Sequence, residues 1–333
     1  MEQEEEKTVI RIRDVNILST DKKNTICCTM YEPRSPRAVL HIVHGMSEHF
    51  GRYDGFARYM AANGCVVVGS DLIGHGRTAP NPGEYGFFDD YEVLVEDQRL
   101  IVNLVRKKYR SLPYVIFGHS MGSFIVRAFI QRHGSDVDGA VIAGTAGRYK
   151  GIDFGIRLAS LIAKVRGPYH VSKLLTKISL GANVKAFPGP TGFEWLTKDG
   201  SVIERYAADR MCGFPFKAAA YREMYRLIKE ATEEGWAERV PQSLPVLVCS
   251  GLDDPLGNSG KGPSECFGDL EDRECSDLTI KLYPGDRHEI LNETDKETVW
   301  ADILEWINGV RDGKNEAAMY GMAVFPPAGG TAE

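Results

Sequence analysis

Six short and almost uninterrupted apolar runs, separated by longer stretches of helical periodicity, constrain this chain more than any other feature. The runs are AVLHIV (38–43), CVVVGSD (65–71), YVIFG (114–118), GAVIAG (139–144), PVLVCSG (245–251) and LTIKLYP (278–284), each bounded by Gly, Pro or polar residues. A strand with one wet face alternates apolar and polar residues, whereas a strand covered by helices on both faces reads as a continuous apolar run. Between the runs, residues 53–63, 92–110, 121–133, 217–234 and 295–311 space apolar side chains three and four apart. Strands alternating with helices predict a mostly parallel, doubly wound α/β sheet. Residues 7–18 and 25–31, joined by the polar turn STDKKN, add an antiparallel hairpin at one edge.

The rhythm breaks once. Residues 147–215 contain no clear strand but two helix-like segments, IDFGIRLASLIAKV and HVSKLLTKISLG. The expected organisation is a core of residues 1–146 and 216–313, with 147–215 inserted as a helical cap after the sixth core strand. Residues 314–333, rich in small residues, Gly and Pro, are expected to be a flexible tail.

Composition narrows the function. A net charge of −6 lacks the basic footprint of a nucleic-acid binder, so no nucleic acid is expected. The N-terminal MEQEEEKT is acidic where a secretory signal is basic and then apolar, and no apolar stretch approaches the ~18 residues of a membrane span. Seven cysteines form no CxxC pair, which suits reduced thiols in a cytoplasmic protein.

The chemistry is carried by GHSMG at 118–122, directly between the run YVIFG and a helical pattern. In that context the motif is a nucleophile elbow. Ser120 is forced into a strained turn, Gly118 and Gly122 remove side chains that would collide there, and the helix N-terminus faces developing negative charge. A serine hydroxyl needs a base, and YPGDRHE at 283–289 offers His288 after the last strand; it is the only histidine beyond residue 170. The imidazolium needs a carboxylate, and both Asp253 and Asp254 follow PVLVCSG. Asp254, which precedes Pro255, is favoured. The order Ser, Asp, His is that of α/β-hydrolases and of neither chymotrypsin nor subtilisin. Oxyanion donors are expected from the backbone N–H groups of Met121 and of Met46, the latter presented by the His44-Gly45 turn after the third strand.

Taken together, HGMSEHFGRY (44–53), DLIGHGRT (71–78), GHSMGS (118–123), SGLDDPLGNSGKG (250–262) and LYPGDRHEILNE (282–293) resemble the monoacylglycerol lipase and lysophospholipase family of α/β-hydrolases. The likeness runs from about residue 25 to 311. It implies the same catalytic and oxyanion residues, and a cap over the site. Family members often carry GHSMGG, so Ser123 is a departure.

Between Gly147 and Phe187 eight Lys or Arg stand against one acid, Asp153. Apolar residues interleave with them, and Phe154, Leu158, Leu161 and Ile162 are expected to contact substrate. Such a basic amphipathic stretch can rest on an anionic membrane or micelle surface, or attract an anionic lipid. No metal is expected, because the histidines near the motifs lack ligand spacing; nor is a cofactor, because GHG at 74–76 is too short for a dinucleotide fingerprint. The predicted activity is hydrolysis of a single-chain lipid ester, a monoacylglycerol or a lysophospholipid, through an acyl-enzyme. Its rivals are a carboxylesterase for short esters, an amide hydrolase, and a non-catalytic binding protein on a hydrolase scaffold.

Overall fold

Hydrophobic runs and helical periods assemble as one mixed sheet sandwiched between helices. The structure, a computed structural model, describes residues 10–79 and 81–312. The strands are β1 (Ile10–Leu18), β2 (Thr25–Pro33), β3 (Ala38–Val43), β4 (Cys65–Ser70), β5 (Tyr114–His119), β6 (Gly139–Ala143), β7 (Val246–Gly251) and β8 (Leu278–Tyr283). They are ordered β1-β2-β4-β3-β5-β6-β7-β8. β1 and β2 pair antiparallel, β2 also runs antiparallel to β4, and the remaining pairs are parallel. The acidic N-terminal stretch and the tail expected from Lys314 lie outside the described residues.

Every residue of β3 to β7 is buried, the physical counterpart of their uninterrupted apolar sequences. Alternate side chains feed two cores. Val39, Val66, Ile116, Ile142 and Val248 point to one face, and Leu40, Val67, Phe117, Val141 and Leu247 to the other. The edge strand β1 shows the half-exposed alternation expected of it.

The described residues contain nine α-helices: α1 (Asp54–Ala62), α2 (Tyr91–Lys108), α3 (Met121–His133), α4 (Ile152–Arg166), α5 (Lys173–Ala186), α6 (Gly200–Ala208), α7 (Ala218–Thr232), α8 (Lys261–Asp272) and α9 (Lys296–Asp312). Helices α4, α5 and α6 lie between β6 and α7 in the chain. α6 and α8 are additional to the sequence reading. α6 starts where the Asp199 carboxylate accepts the N–H groups of Ser201 and Val202. α8 carries Gly262, Pro263 and Gly268, which mask its period; Pro263 sits in the first turn, where its missing N–H is tolerated.

The sheet order sets the position of the site. Chain progression reverses between β3 and β5, which are hydrogen-bonded neighbours with Val43 opposite Gly118. The loops leaving their C-terminal ends therefore meet at a switch point, where ligands bind in open α/β sheets.

Candidate active site

Ser120 links β5 directly to α3 with φ 54° and ψ −120°, in the left-handed region that a serine avoids. Such a conformation costs about 1–3 kcal/mol and persists only when its surroundings hold it. Here its N–H donates to Ala143 O at 3.0 Å, and its carbonyl accepts the Ser123 N–H at 2.8 Å and the Ser123 hydroxyl at 2.6 Å. Ser123, the departure from the family pattern, thus fastens the elbow from within α3. A Cβ on Gly118 would fall 2.2 Å from Gly122 O, and one on Gly122 would fall 2.1 Å from Val43 O. Both positions require glycine because β3, β5 and α3 converge there.

His288 sits in the loop between β8 and α9, almost wholly buried. Its Nδ1 lies 2.9 Å from Asp254 Oδ2, so Nδ1 carries the proton and Nε2 remains the basic nitrogen. The other carboxylate oxygen of Asp254 accepts the Leu256 N–H at 2.8 Å. Asp253, by contrast, is exposed, and its N–H donates to Asp286 O. Of the two candidates, Asp254 is therefore the one that meets the histidine. Ser120, His288, Met46 and Met121 all line one cavity of about 870 Å³.

A buried charged cluster that borders this cavity escaped the sequence reading. Glu48 Oε1 accepts the N–H of Gly45 at 2.6 Å and the Tyr53 hydroxyl at 2.9 Å, tying down the turn that presents Met46. Arg52 donates to Glu48 Oε2 at 2.6 Å and forks onto both oxygens of Glu289, also at 2.6 Å. Its guanidinium lies 4.7 Å from the centre of the Tyr206 ring. His119, next to Ser120, holds Nδ1 3.5 Å from Glu48 Oε1 and donates Nε2–H to the carbonyl of His288. Burial works against charge on Glu48, but His119 and Arg52 overcome it and hold its carboxyl well below the usual range. Burial likewise opposes charge on His119, and Glu48 outweighs it, raising the imidazole above its ordinary value. The cluster joins the β3 loop, the elbow and the histidine loop. Its only sequence signal was the i, i+4 spacing of Glu48 and Arg52 within HGMSEHFGRY.

The cavity walls correct one expectation. Phe154, Leu158, Leu161 and Ile162 do not line the cavity; α4 contributes Ile152 and Gly155 instead, and α5 contributes Ile178, Leu180 and Val184. The reason is packing. α4 turns its small residues Gly155, Ala159 and Ala163 inward, and Gly155 meets the Tyr225 ring of α7. Phe154 and Leu161 face solvent at 67% and 58% exposure, while Leu158 and Ile162 are partly buried against the core. Lys150, Lys173, Lys177 and Lys185 also border the cavity.

Among the described residues, His49, Asp209 and Cys212 bring potential ligand atoms within 4.8 Å of one another. His49 Nε2 is already paired with Asp209 Oδ2 at 2.9 Å, and burial pushes the Cys212 thiol up, away from the thiolate that a metal needs.

A strained serine on a strand–helix elbow, a buried Asp–His pair and a mostly parallel sheet define an α/β-hydrolase of the serine hydrolase class. The chain belongs to the family described as serine aminopeptidase, S33, whose profile matches residues 34–295. It is 30% identical to a monoacylglycerol lipase of Mycolicibacterium smegmatis, over 82% of this chain and 88% of that one. It is 26% identical to a monoglyceride lipase of Rattus norvegicus, over 84% and 86% of the two chains. The crystal structure of a thermostable carboxyl esterase from Bacillus coagulans in complex with glycerol superposes with a TM-score of 0.85 at 28% identity, covering 91% of this chain and all of that one.

Proposed function

We propose that this protein hydrolyses esters of single-chain lipids, monoacylglycerols or lysophospholipids, through an acyl-enzyme. The observation that carries the substrate class is the cavity of about 870 Å³ that starts at Ser120 and continues among apolar side chains of α4, α5 and α7. It falls within the ~300–1,000 Å³ of small-molecule sites, and each methylene buried there contributes roughly 0.8 kcal/mol.

In this mechanism Ser120 Oγ attacks the ester carbonyl while His288 Nε2 takes its proton. Asp254 holds the Nδ1–H tautomer and stabilises the imidazolium. The N–H groups of Met46 and Met121 receive the oxyanion, the former on a turn fixed by Glu48. His288 then protonates the departing alcohol. A water molecule deprotonated by the same histidine attacks the acyl-enzyme, and the fatty acid leaves.

Residues 147–215 act as a cap over a core of 1–146 and 216–313. Exposed apolar residues concentrate on that segment: Phe154, Leu161, Val165, Tyr169 and Leu174 are all more than half exposed. With the surrounding lysines and arginines they form a surface suited to an anionic membrane or micelle. No described helix is long and apolar enough to cross a membrane. All seven cysteines are free, which supports the cytoplasm as the working compartment.

Amide hydrolysis at an amino terminus needs a carboxylate to hold the substrate ammonium. Glu48 and Glu289, the acids that line the cavity, are both engaged by Arg52. The test is an ester series from acetyl to long-chain monoacylglycerols and lysophosphatidylcholines, with Ser120→Ala as control. Rates that climb with chain length and vanish in the variant support this function; turnover of short esters alone would reject the lipid assignment.

A further inference from the structure

The loop that carries His288 is held from two sides. On the core side, a Cβ on Gly251 would fall 2.2 Å from the carbonyl oxygens of both Asp286 and Arg287, so residues 286–287 lie directly on the end of β7. On the other side it is sewn to the segment between α5 and α6. The Glu289 N–H donates to Leu196 O at 2.7 Å. Arg287 Nη1 donates to Glu194 O at 2.5 Å and Thr197 O at 3.1 Å. Glu293 accepts the Thr197 hydroxyl and the Lys198 N–H, both at 3.0 Å. Lys198 Nζ reaches Asp286 Oδ1 at 2.7 Å, and the Trp195 indole lies over the His288 imidazole with ring centres 4.9 Å apart.

We propose that Trp195 and Lys198 are positioning residues, which make the placement of His288 depend on the seating of the 194–198 segment. Trp195 acts on the ring itself. Lys198 acts through Asp286, two residues before the histidine. The proposal rests on the assignment of His288 as the base of the ester hydrolase.

Asp286 is an unusual anchor. Its side chain is wholly buried, and Oδ2 has no hydrogen-bond partner. The charged and titratable groups acting on it are Lys198 from the segment, Glu293 and Asp295 from the chain leading into α9, and Tyr283 at the end of β8. Burial raises its carboxyl to about 6, with Lys198 opposing and the two acids assisting. The Lys198–Asp286 contact is therefore an ion pair above about pH 6 and is lost below it.

The experiment compares Lys198→Met, Lys198→Arg and the isosteric Asp286→Asn with wild type. In Lys198→Met, kcat falls about tenfold with KM within about twofold, and fluorophosphonate labelling of Ser120 slows in step, because misplacement of a catalytic group acts on the chemical step. The deficit is full well above pH 6 and shrinks below it, where wild type has lost the pair too. Lys198→Arg recovers most of the rate, and Asp286→Asn behaves as Lys198→Met does. A shared loss in all three that tracks the fall in Tm and is flat with pH overturns the proposal, as does an unchanged kcat. The low-field proton resonance of His288 Nδ1–H is a readout that needs no substrate: it shifts or broadens in Lys198→Met if the segment positions the ring, and stays put otherwise. Should wild-type Ser120 prove inert to the probe, the hydrolase assignment fails, and this resonance still decides whether the segment positions His288.

Discussion

Glu48 Oε1 accepts the backbone N–H of Gly45 at 2.6 Å, so a buried carboxylate fixes the peptide turn that leads to Met46. Replacing Glu48 by Ala leaves that N–H without its partner, at a cost of about 1–3 kcal/mol, and frees the turn proposed to present one oxyanion donor. We expect kcat to drop by up to about 100-fold, short of the roughly 100- to 1,000-fold lost when an oxyanion donor is removed outright. Glu48→Gln keeps an acceptor for Gly45 but removes the charge facing Arg52 and His119. It should lose less in kcat than the alanine variant while unfolding at lower temperature. Steady-state kinetics beside thermal melts of both variants separate the two roles; equal kcat losses would contradict the separation.

Asp253 and Asp254 are neighbours in sequence and opposites in environment, one exposed and one wholly buried against His288. Asp254→Asn preserves shape but favours the wrong histidine tautomer, and kcat should fall by about three to four orders of magnitude. Asp253→Asn should stay within about twofold of wild type, as surface changes do. Ester hydrolysis by the two purified variants decides it, and a large loss in Asp253→Asn would reverse the assignment.

That contrast shows what the sequence could and could not carry. Strands β3 to β7 were legible because burial on both faces removes the polar alternation, and the elbow because GHSMG falls between a buried strand and a helix. Choosing Asp254 needed tertiary burial, since both acids share one loop. The apolar face of α4 was misread because small residues, Gly155, Ala159 and Ala163, decided which side packs against α7. The pairing of Arg52 with Glu289 was invisible because the two residues are 237 positions apart. No local pattern encodes such a pairing.

Glu48 and His119 also tie stability to pH. Glu48 titrates below its ordinary value of 4.5, so its contribution is present above that value and fades as pH falls through the depressed folded one. His119 titrates above 6.5, so its contribution is complete below 6.5 and is lost as pH rises through the raised folded value. Wild type should therefore lose stability as the solution is made alkaline from pH 6.5. In His119→Asn that slope should flatten, with lower stability overall at pH 6.5. Urea unfolding at a series of pH values measures both slopes; identical slopes would show that His119 carries no linked proton.

The surface of residues 147–215 yields the last prediction. Phe154 and Leu161 are exposed at 67% and 58%, and neither reaches the cavity, so their removal should leave the chemistry intact. If the segment rests on lipid, these side chains lie in the interface among the lysines and arginines around them. Burying such a side chain completely is worth about 1.5–3 kcal/mol, so two partly inserted ones contribute ~2 kcal/mol, or about 30-fold in partitioning. The double change Phe154→Ser and Leu161→Ser should weaken binding to vesicles containing phosphatidylglycerol by roughly that factor. Turnover of a soluble short-chain ester should stay unchanged. The basic residues add an electrostatic share, which falls as salt is raised because the screening length shrinks from about 10 Å at 0.1 M to about 3 Å at 1 M. Sedimentation with vesicles at low and high salt, using wild type and the double variant, separates the two contributions. Equal partitioning of the two proteins at both salt concentrations would mean that this face does not meet the membrane.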